Sequence, residues 1–301
     1  MPHHLITPQP PDSGAVRGLL TALRGRYRFL QVVPVGRSVL GREIWGVLLG
    51  HGPHTVLFAA ATHAQEWITA LVLLRLCEDM CRALTGDGRL CRVQLRDALR
   101  GARLVFVPVV NPDGVEIALH GPEAAGDYAG SVRALGGGTP GLWQANTRGV
   151  DLNHNFNAGW LRLQELERKK GITGPAPRQY GGPRPHSEPE TRALVALCER
   201  GDFSHVVSLH AQGEVIYWSY GDRTPPQARL MAEVMAMASG YALEEPDEIA
   251  SHGGFKDWFI ETTGRPGFTL ELGRGVNPLP LSEFYEVYHR VKEALVLASI
   301  M

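Results

Sequence analysis

The stretch Thr55-Val56-Leu57-Phe58-Ala59-Ala60-Ala61-Thr62-His63-Ala64-Gln65-Glu66-Trp67 decides the fold. Residues 55–61 form an apolar run of strand length, the pattern of a strand buried on both faces. Trp67 opens a second apolar run, to Leu76, that predicts a helix. His63 and Glu66 stand three residues apart at the junction, so both side chains can point at one spot. Imidazole nitrogen and carboxylate oxygen are the ligand types of a catalytic zinc, which takes a third protein ligand and keeps one position open for water. The competing reading is a plain helix N-terminus with a favourable acidic residue in its first turn.

Strands and helices alternate outward from this junction. Upstream, residues 1–12 read as a loose polar, Pro-rich tail, and Asp12 or Ser13 can cap a helix over residues 15–23. Residues 29–35 and 43–49 read as a hairpin, with glycines at both ends of the connection. Downstream, a helix over residues 67–84 stops at Gly86-Asp87-Gly88. A buried strand over 103–110 ends at the turn signal Asn111-Pro112-Asp113-Gly114. Residues 120–147 show no periodicity and contain the run Gly136-Gly137-Gly138-Thr139-Pro140-Gly141, and residues 175–185 are a second Gly/Pro-rich connection. Ser187, with Glu190 three residues on, reads as a capping box for a helix reaching Arg200. Strands at 205–210, 215–220 and 267–272 and helices at 226–239, 253–260 and 282–299 complete the chain.

This order predicts an α/β fold in which residues 13–301 form one domain. Its architecture is a single-domain α/β/α sandwich, a mixed, mostly parallel twisted sheet with helices on both faces. Sites in such folds lie beyond the carboxyl ends of the strands. His63, Asn111, His210 and Glu271 each fall at or near such an end.

A formal net charge of −1 over 301 residues, with no Lys/Arg stripe, argues against nucleic acid as a partner. No apolar run reaches membrane-spanning length and the N-terminus lacks the pattern of a signal peptide, so a cytoplasmic protein is expected. No obligate protein partner is implied. Cys77, Cys81, Cys91 and Cys198 lack metal-finger spacing and read as reduced thiols rather than a disulfide framework.

His210, closing Ser208-Leu209-His210, is the best candidate for a third metal ligand, ahead of His120, His186, His252 and His289. Glu271, within Thr269-Leu270-Glu271-Leu272, is the candidate base, because a carboxylate in an apolar strand is costly unless paired or functional. Burial raises its pKa toward the range where a general base also returns the proton well. The alternative is a structural ion pair with Arg274 or Lys256.

Taken together, these residues resemble the zinc metallocarboxypeptidase family. The resemblance rests on His63-x-x-Glu66, Asn111-Pro112-Asp113-Gly114, Gly149-Val150-Asp151-Leu152-Asn153, Ser187-Glu188-Pro189-Glu190, His210, Asp257-Trp258 and Thr269-Leu270-Glu271. It implies one Zn2+ per chain on His63, Glu66 and His210, Glu271 as base, and Asp151 behind His63, fixing its tautomer. Several stretches resemble the γ-D-glutamyl-diaminopimelate peptidase branch, among them His63-Ala64-Gln65-Glu66-Trp67, Trp143-Gln144-Ala145-Asn146-Thr147-Arg148 and His210-Ala211-Gln212-Gly213-Glu214. That branch cuts the stem peptides of bacterial cell walls. Two alternatives stand beside it: a carboxypeptidase of ordinary peptides, and a non-catalytic muropeptide-binding module.

Two positions depart from the carboxypeptidase pattern. His154 stands where the family has the arginine that grips a terminal carboxylate. Ile249 stands where it has a tyrosine, with His252 or Tyr128 as candidate substitutes. Arg148 is the expected oxyanion or carboxylate ligand, unless it pairs with Asp151. Asn153, His154 and Gln212 are the expected substrate contacts, with Glu214 beside Gln212 for an amino group.

Overall fold

The computed structural model describes residues 3–136 and 140–301. Gly137, Gly138 and Thr139 of the glycine-rich run lie outside the described residues, as do Met1 and Pro2.

Eight strands form the main sheet: β1 (Gln31–Arg37), β2 (Glu43–Gly50), β3 (His54–Ala60), β4 (Ala102–Val107), β5 (His205–His210), β6 (Val215–Tyr217), β7 (Ala242–Leu243) and β8 (Gly267–Glu271). Their spatial order is β1-β2-β4-β3-β5-β8-β6-β7. The central four, β4-β3-β5-β8, run parallel, while β2 pairs with β4 and β6 with β8 in antiparallel fashion. Strand β3 carries Val56, Phe58 and Ala60 into one apolar cluster and Leu57 and Ala59 into the other, as alternation demands of a strand covered on both sides. Helices Ile68–Thr85, Gln227–Ser239 and Phe284–Ala298 pack on the first face, Pro189–Gly201 and Phe255–Thr263 on the second. From β3 the chain steps to β4 on one side, whereas β5 lies on the other. The crevice beyond the ends of β3 and β5 is therefore the switch point where open α/β sheets place their sites.

Four readings need correction. Residues 3–12 are not a loose tail: Ile6 is fully buried, and the backbone N–H groups of Leu5 and Ile6 donate to the Glu78 carboxylate at 2.7 and 3.0 Å. The buried charges Arg75, Glu78 and Asp79 of the Ile68–Thr85 helix need partners, and the N-terminal segment supplies some of them. Asn111-Pro112-Asp113-Gly114 starts a helix, Pro112–His120, with the Asn111 side chain accepting from Gly114 N and Pro at the first position. Residues 120–147 are not structureless, because short helical turns at Pro122–Tyr128 and Ala129–Ala134 fill part of them.

The fourth correction concerns Ser187, which does not cap the helix it precedes. That helix, Pro189–Gly201, starts after Glu188 with no side-chain cap. Ser187 Oγ donates to Glu188, and Glu190 accepts from Val39 N. Asn146 Nδ2 draws both carboxylates inward, at 2.8 and 3.3 Å. The sequence reading left out the helix Trp160–Lys169, although Trp160, Leu163 and Leu166 recur at helical spacing, and the short strand β7. Asp12 caps the first helix by accepting from Ala15 N, and Cys77, Cys81 and Cys198 are buried free thiols while Cys91 is exposed. Among the described residues no helix is long and apolar enough to cross a membrane.

Candidate active site

The junction after β3 is built for close approach. Ala61 takes a positive φ of 47°, and its N–H donates to Thr69 Oγ1, whose hydroxyl donates in turn to Glu66 O. A non-glycine residue in that conformation persists only where its surroundings hold it. A single 3-10 turn, Ala64–Glu66, then sets His63 and Glu66 on one side. Strand β5 delivers His210 alongside, and β8 delivers Glu271 in register with it.

His63 Nδ1 lies 2.8 Å from Glu66 Oε1, His210 Nδ1 lies 3.0 Å from Glu66 Oε2, and the two Nδ1 atoms are 3.3 Å apart. The ligand atoms of the three side chains fall within 4.8 Å of one another. Ala211 N also donates to Glu66 Oε2, at 3.2 Å. Two ring nitrogens and a carboxylate converging on one point are the donor set and spacing a divalent cation needs, and imidazole with carboxylate suits zinc. His63 Nε2 is backed by Asp151 Oδ1 at 3.2 Å, which turns the Nδ1 lone pair toward the common centre. Among the described residues His210 Nε2 is buried without a hydrogen-bond partner, while Nδ1 faces Glu66. The residues fit a metal, and His63, Glu66 and His210 would hold it.

The charges are strongly coupled. Burial works against an imidazolium on His63, but Glu66 and then Asp151 outweigh it and raise its pKa well above the histidine range. Burial likewise opposes the Glu66 carboxylate, but His63 and His210 pull it down to about 2. Burial opposes ionised Asp151 too, and His63 together with His154 drives its pKa below the usual carboxylate range. Glu271 goes the other way: burial, and then the negative charge of Glu66, push it well above that range. Neither Arg274 nor Lys256 pairs with it. Arg274 bonds Glu214 at 2.7 Å, and Lys256 pairs with Asp257.

A cleft of about 160 Å³ opens onto His63 and Glu271. Asn153 and His154 line it, as expected from sequence. Asn153 Oδ1 accepts from Phe255 N at 3.1 Å, leaving its amide nitrogen as the donor for a ligand. His154 is 7 % exposed and bonds Glu167 Oε1 through Nδ1 at 3.2 Å. Gln144, Arg178 and Gln179 form further lining, with Tyr217, Lys256 and Thr269 across separate segments.

Arg148 is not among the lining residues. Its guanidinium lies 3.6 Å from Glu188 and bonds Tyr128, so neither the oxyanion role nor the pairing with Asp151 holds. Gln212 is exposed and also outside the cleft, and Glu214 is occupied by Arg274 and Arg290. Ile249 is a core residue against Leu163 and Leu166. His252 bonds Tyr220 at 3.1 Å, so neither His252 nor Tyr128 takes the place of the absent tyrosine. The phenol facing the cleft is Tyr217, from β6. Sequence reading missed Gln144, Arg178, Gln179 and Tyr217. Tyr217 sits two strand residues from Val215, the partner of Glu271, and that register is invisible before pairing is known.

The sequence pattern of the zinc carboxypeptidase family matches residues 17–294. The chain belongs to the zinc carboxypeptidase family. With that membership it is a hydrolase of the zinc metallopeptidase class. It is 39% identical over 269 residues to a γ-D-glutamyl-L-diamino acid endopeptidase of Lysinibacillus sphaericus, covering 88% of this chain and 66% of that protein. The fold is shared with thrombin-activatable fibrinolysis inhibitor, at a TM-score of 0.74 and 19% identity over 97% of this chain and 74% of the other. A murein-tripeptide amidase of Escherichia coli O157 matches at a TM-score of 0.54 and 25% identity, covering 89% of this chain and 91% of the other.

Proposed function

We propose that this chain hydrolyses the bond between the γ-carboxyl of D-glutamate and diaminopimelate in bacterial stem peptides. The observation that carries the reading is the charged, polar lining of the cleft beside Glu271. Lys256, 4 % exposed, donates to Ser219 O at 2.7 Å, pairs with Asp257, and lies 5.8 Å from the Tyr220 ring centroid. Such a lining suits a residue whose side chain ends in an ammonium and a carboxylate, and it disfavours an apolar side chain. His154, turned to Glu167, does not supply the guanidinium that the family resemblance places at that position. The likeness to the Lysinibacillus sphaericus endopeptidase supports the same substrate class.

A zinc ion on His63, Glu66 and His210 would supply Lewis acidity, acidifying a water and polarising the scissile carbonyl. Glu271 takes the proton of the attacking water; its raised pKa, set by burial and Glu66, suits it to hand that proton to the leaving amine. Asp151 keeps His63 in the tautomer that faces the metal position. Asn153 donates its amide N–H to the bound peptide.

The test is a side-by-side turnover assay on L-Ala-γ-D-Glu-meso-diaminopimelate and on hippuryl amino acids. Cleavage of the first and neglect of the second is the expected result. Cleavage of hippuryl substrates alone would establish the carboxypeptidase alternative, and absence of both turnover and bound zinc the non-catalytic one.

A further inference from the structure

We infer that Arg178 is the carboxylate anchor of this active site, the role that the sequence pattern assigns to an arginine at position 154 and that Arg148 is too far engaged to fill. This inference rests on the cleft being a peptide site and deepens the substrate reading above.

Arg178 lines the cleft and is exposed, and among the described residues its guanidinium has no hydrogen bond and no ion pair. Among the described residues Lys256, the other Lys or Arg of the lining, is committed to Asp257, and outside the lining Arg148 pairs with Glu188 and Arg274 with Glu214. A planar five-donor group left open in a cleft is the group that binds a carboxylate through two parallel N–H bonds.

Its backbone is not free to wander. Pro177 O accepts from both Gln144 N and Ala145 N, at 2.9 and 3.0 Å. Gln179 N donates to Asp151 Oδ2 at 2.9 Å, and Asp151 N donates to Tyr180 O at 2.8 Å. Gln179 adopts a φ of 65°, a conformation that a non-glycine residue keeps only when its surroundings impose it. The residues on either side of Arg178 are thus bonded to the segment that carries Asp151, and Asp151 bonds His63. The Cα of Arg178 is set in a fixed relation to the metal cluster, as a substrate-orienting group requires.

In the proposed substrate two kinds of carboxylate flank the scissile bond. One is the free α-carboxylate of D-glutamate, left free because the linkage runs through the γ-carboxyl. The other is the pair of carboxylates on diaminopimelate, one at each of its ends. Either presents the same chemistry to a guanidinium, and amidating one kind at a time separates them.

The experiment is a chemical double-mutant cycle. Glu271→Gln protein, which binds without turnover, is titrated calorimetrically with three ligands: the tripeptide, its D-isoglutamine form, and the form amidated at both diaminopimelate carboxyls. The titrations are repeated with Arg178→Gln added. One of the two amidations should weaken binding by about 10- to 30-fold in the protein with Arg178 and by less than about 2-fold without it, the loss expected for a charge-assisted pair. In the active enzyme Arg178→Gln raises KM for the tripeptide and leaves kcat within about 3-fold, and Arg178→Lys recovers part of the loss. Equal amidation penalties with and without Arg178, for both carboxylates, would overturn the assignment. If the metal-loaded wild type leaves the tripeptide intact, the substrate reading fails by itself. The same comparison of the wild-type and Arg178→Gln proteins on hippuryl amino acids and their amides then decides the anchor.

Discussion

Replacing Asp151 by Asn tests how the metal cluster is held. Asp151 is 2 % exposed and has three partners. Its Oδ1 faces His63 Nε2 at 3.2 Å and accepts from Asn153 N at 3.1 Å, and its Oδ2 accepts from Gln179 N at 2.9 Å. An amide keeps one acceptor and turns an NH2 group on the other side. With the carbonyl kept toward His63, the Gln179 N–H loses its acceptor, at a stability cost of about 1–3 kcal/mol. The charge behind His63 disappears either way, which makes the ring a weaker ligand. Loss of such a supporting carboxylate lowers metal affinity by about 10- to 100-fold, or ~1.4–2.7 kcal/mol. The assay is competition for zinc against a chromophoric chelator at fixed pH, with circular dichroism to confirm folding. Asp113→Asn is the control, because Asp113 is an equally buried carboxylate accepting from Ser38 Oγ, Leu40 N and Arg42 Nη1. It should lose stability and keep zinc affinity. An Asp151→Asn protein that folds and binds zinc within about 3-fold of wild type would refute the role given to Asp151.

Three further outcomes follow from particular contacts. Ile6→Ala should lower unfolding stability by about 2–4 kcal/mol in urea titration, because Ile6 is fully buried, and no change would restore the loose-tail reading. Glu190 is raised from 4.5 to about 7, chiefly by burial, so its contribution is fully present below pH 4.5 and lost as pH rises through 7. Glu190→Gln should therefore gain on wild type by on the order of 3 kcal/mol between pH 5 and 8, while a pH-independent difference in urea midpoints would contradict this sign. A strong chelator should abolish turnover, with zinc restoring it, and leave the far-UV spectrum intact, since the two apolar clusters do not depend on the metal; loss of secondary structure on chelation would count against that.

Much of this was legible in residue order. The apolar strand at 55–61, the His63/Glu66 spacing and the strand-end positions of His210 and Glu271 all follow local periodicity, and local periodicity survives packing. The substrate side was less legible for three physical reasons. Arg148 and Arg178 look alike as letters, and only the placement of Glu188 and Tyr128 shows which guanidinium is engaged. Tyr217 reaches the cleft through its strand's pairing with β8, a non-local fact. Ser187 and Glu190 match a capping box, yet the buried Asn146 outcompetes the helix end for Glu188 and Glu190. Residues 3–12 look like a tail because their attraction lies in Glu78, whose burial on the Ile68–Thr85 helix is not visible in the sequence.

The central claim is that the His63/Glu66/His210 cluster and Glu271 deliver water to the γ-glutamyl carbonyl. Hydrolysis of L-Ala-γ-D-Glu-meso-diaminopimelate in ¹⁸O water, by zinc-loaded wild type and Glu271→Gln protein, tests it most directly. Mass spectrometry should find one ¹⁸O in the γ-carboxyl of the released L-Ala-D-Glu, none in free diaminopimelate, and turnover at least about 100-fold lower in a variant that still binds zinc. Turnover by Glu271→Gln near the wild-type rate, or cleavage at a different bond, would contradict the account.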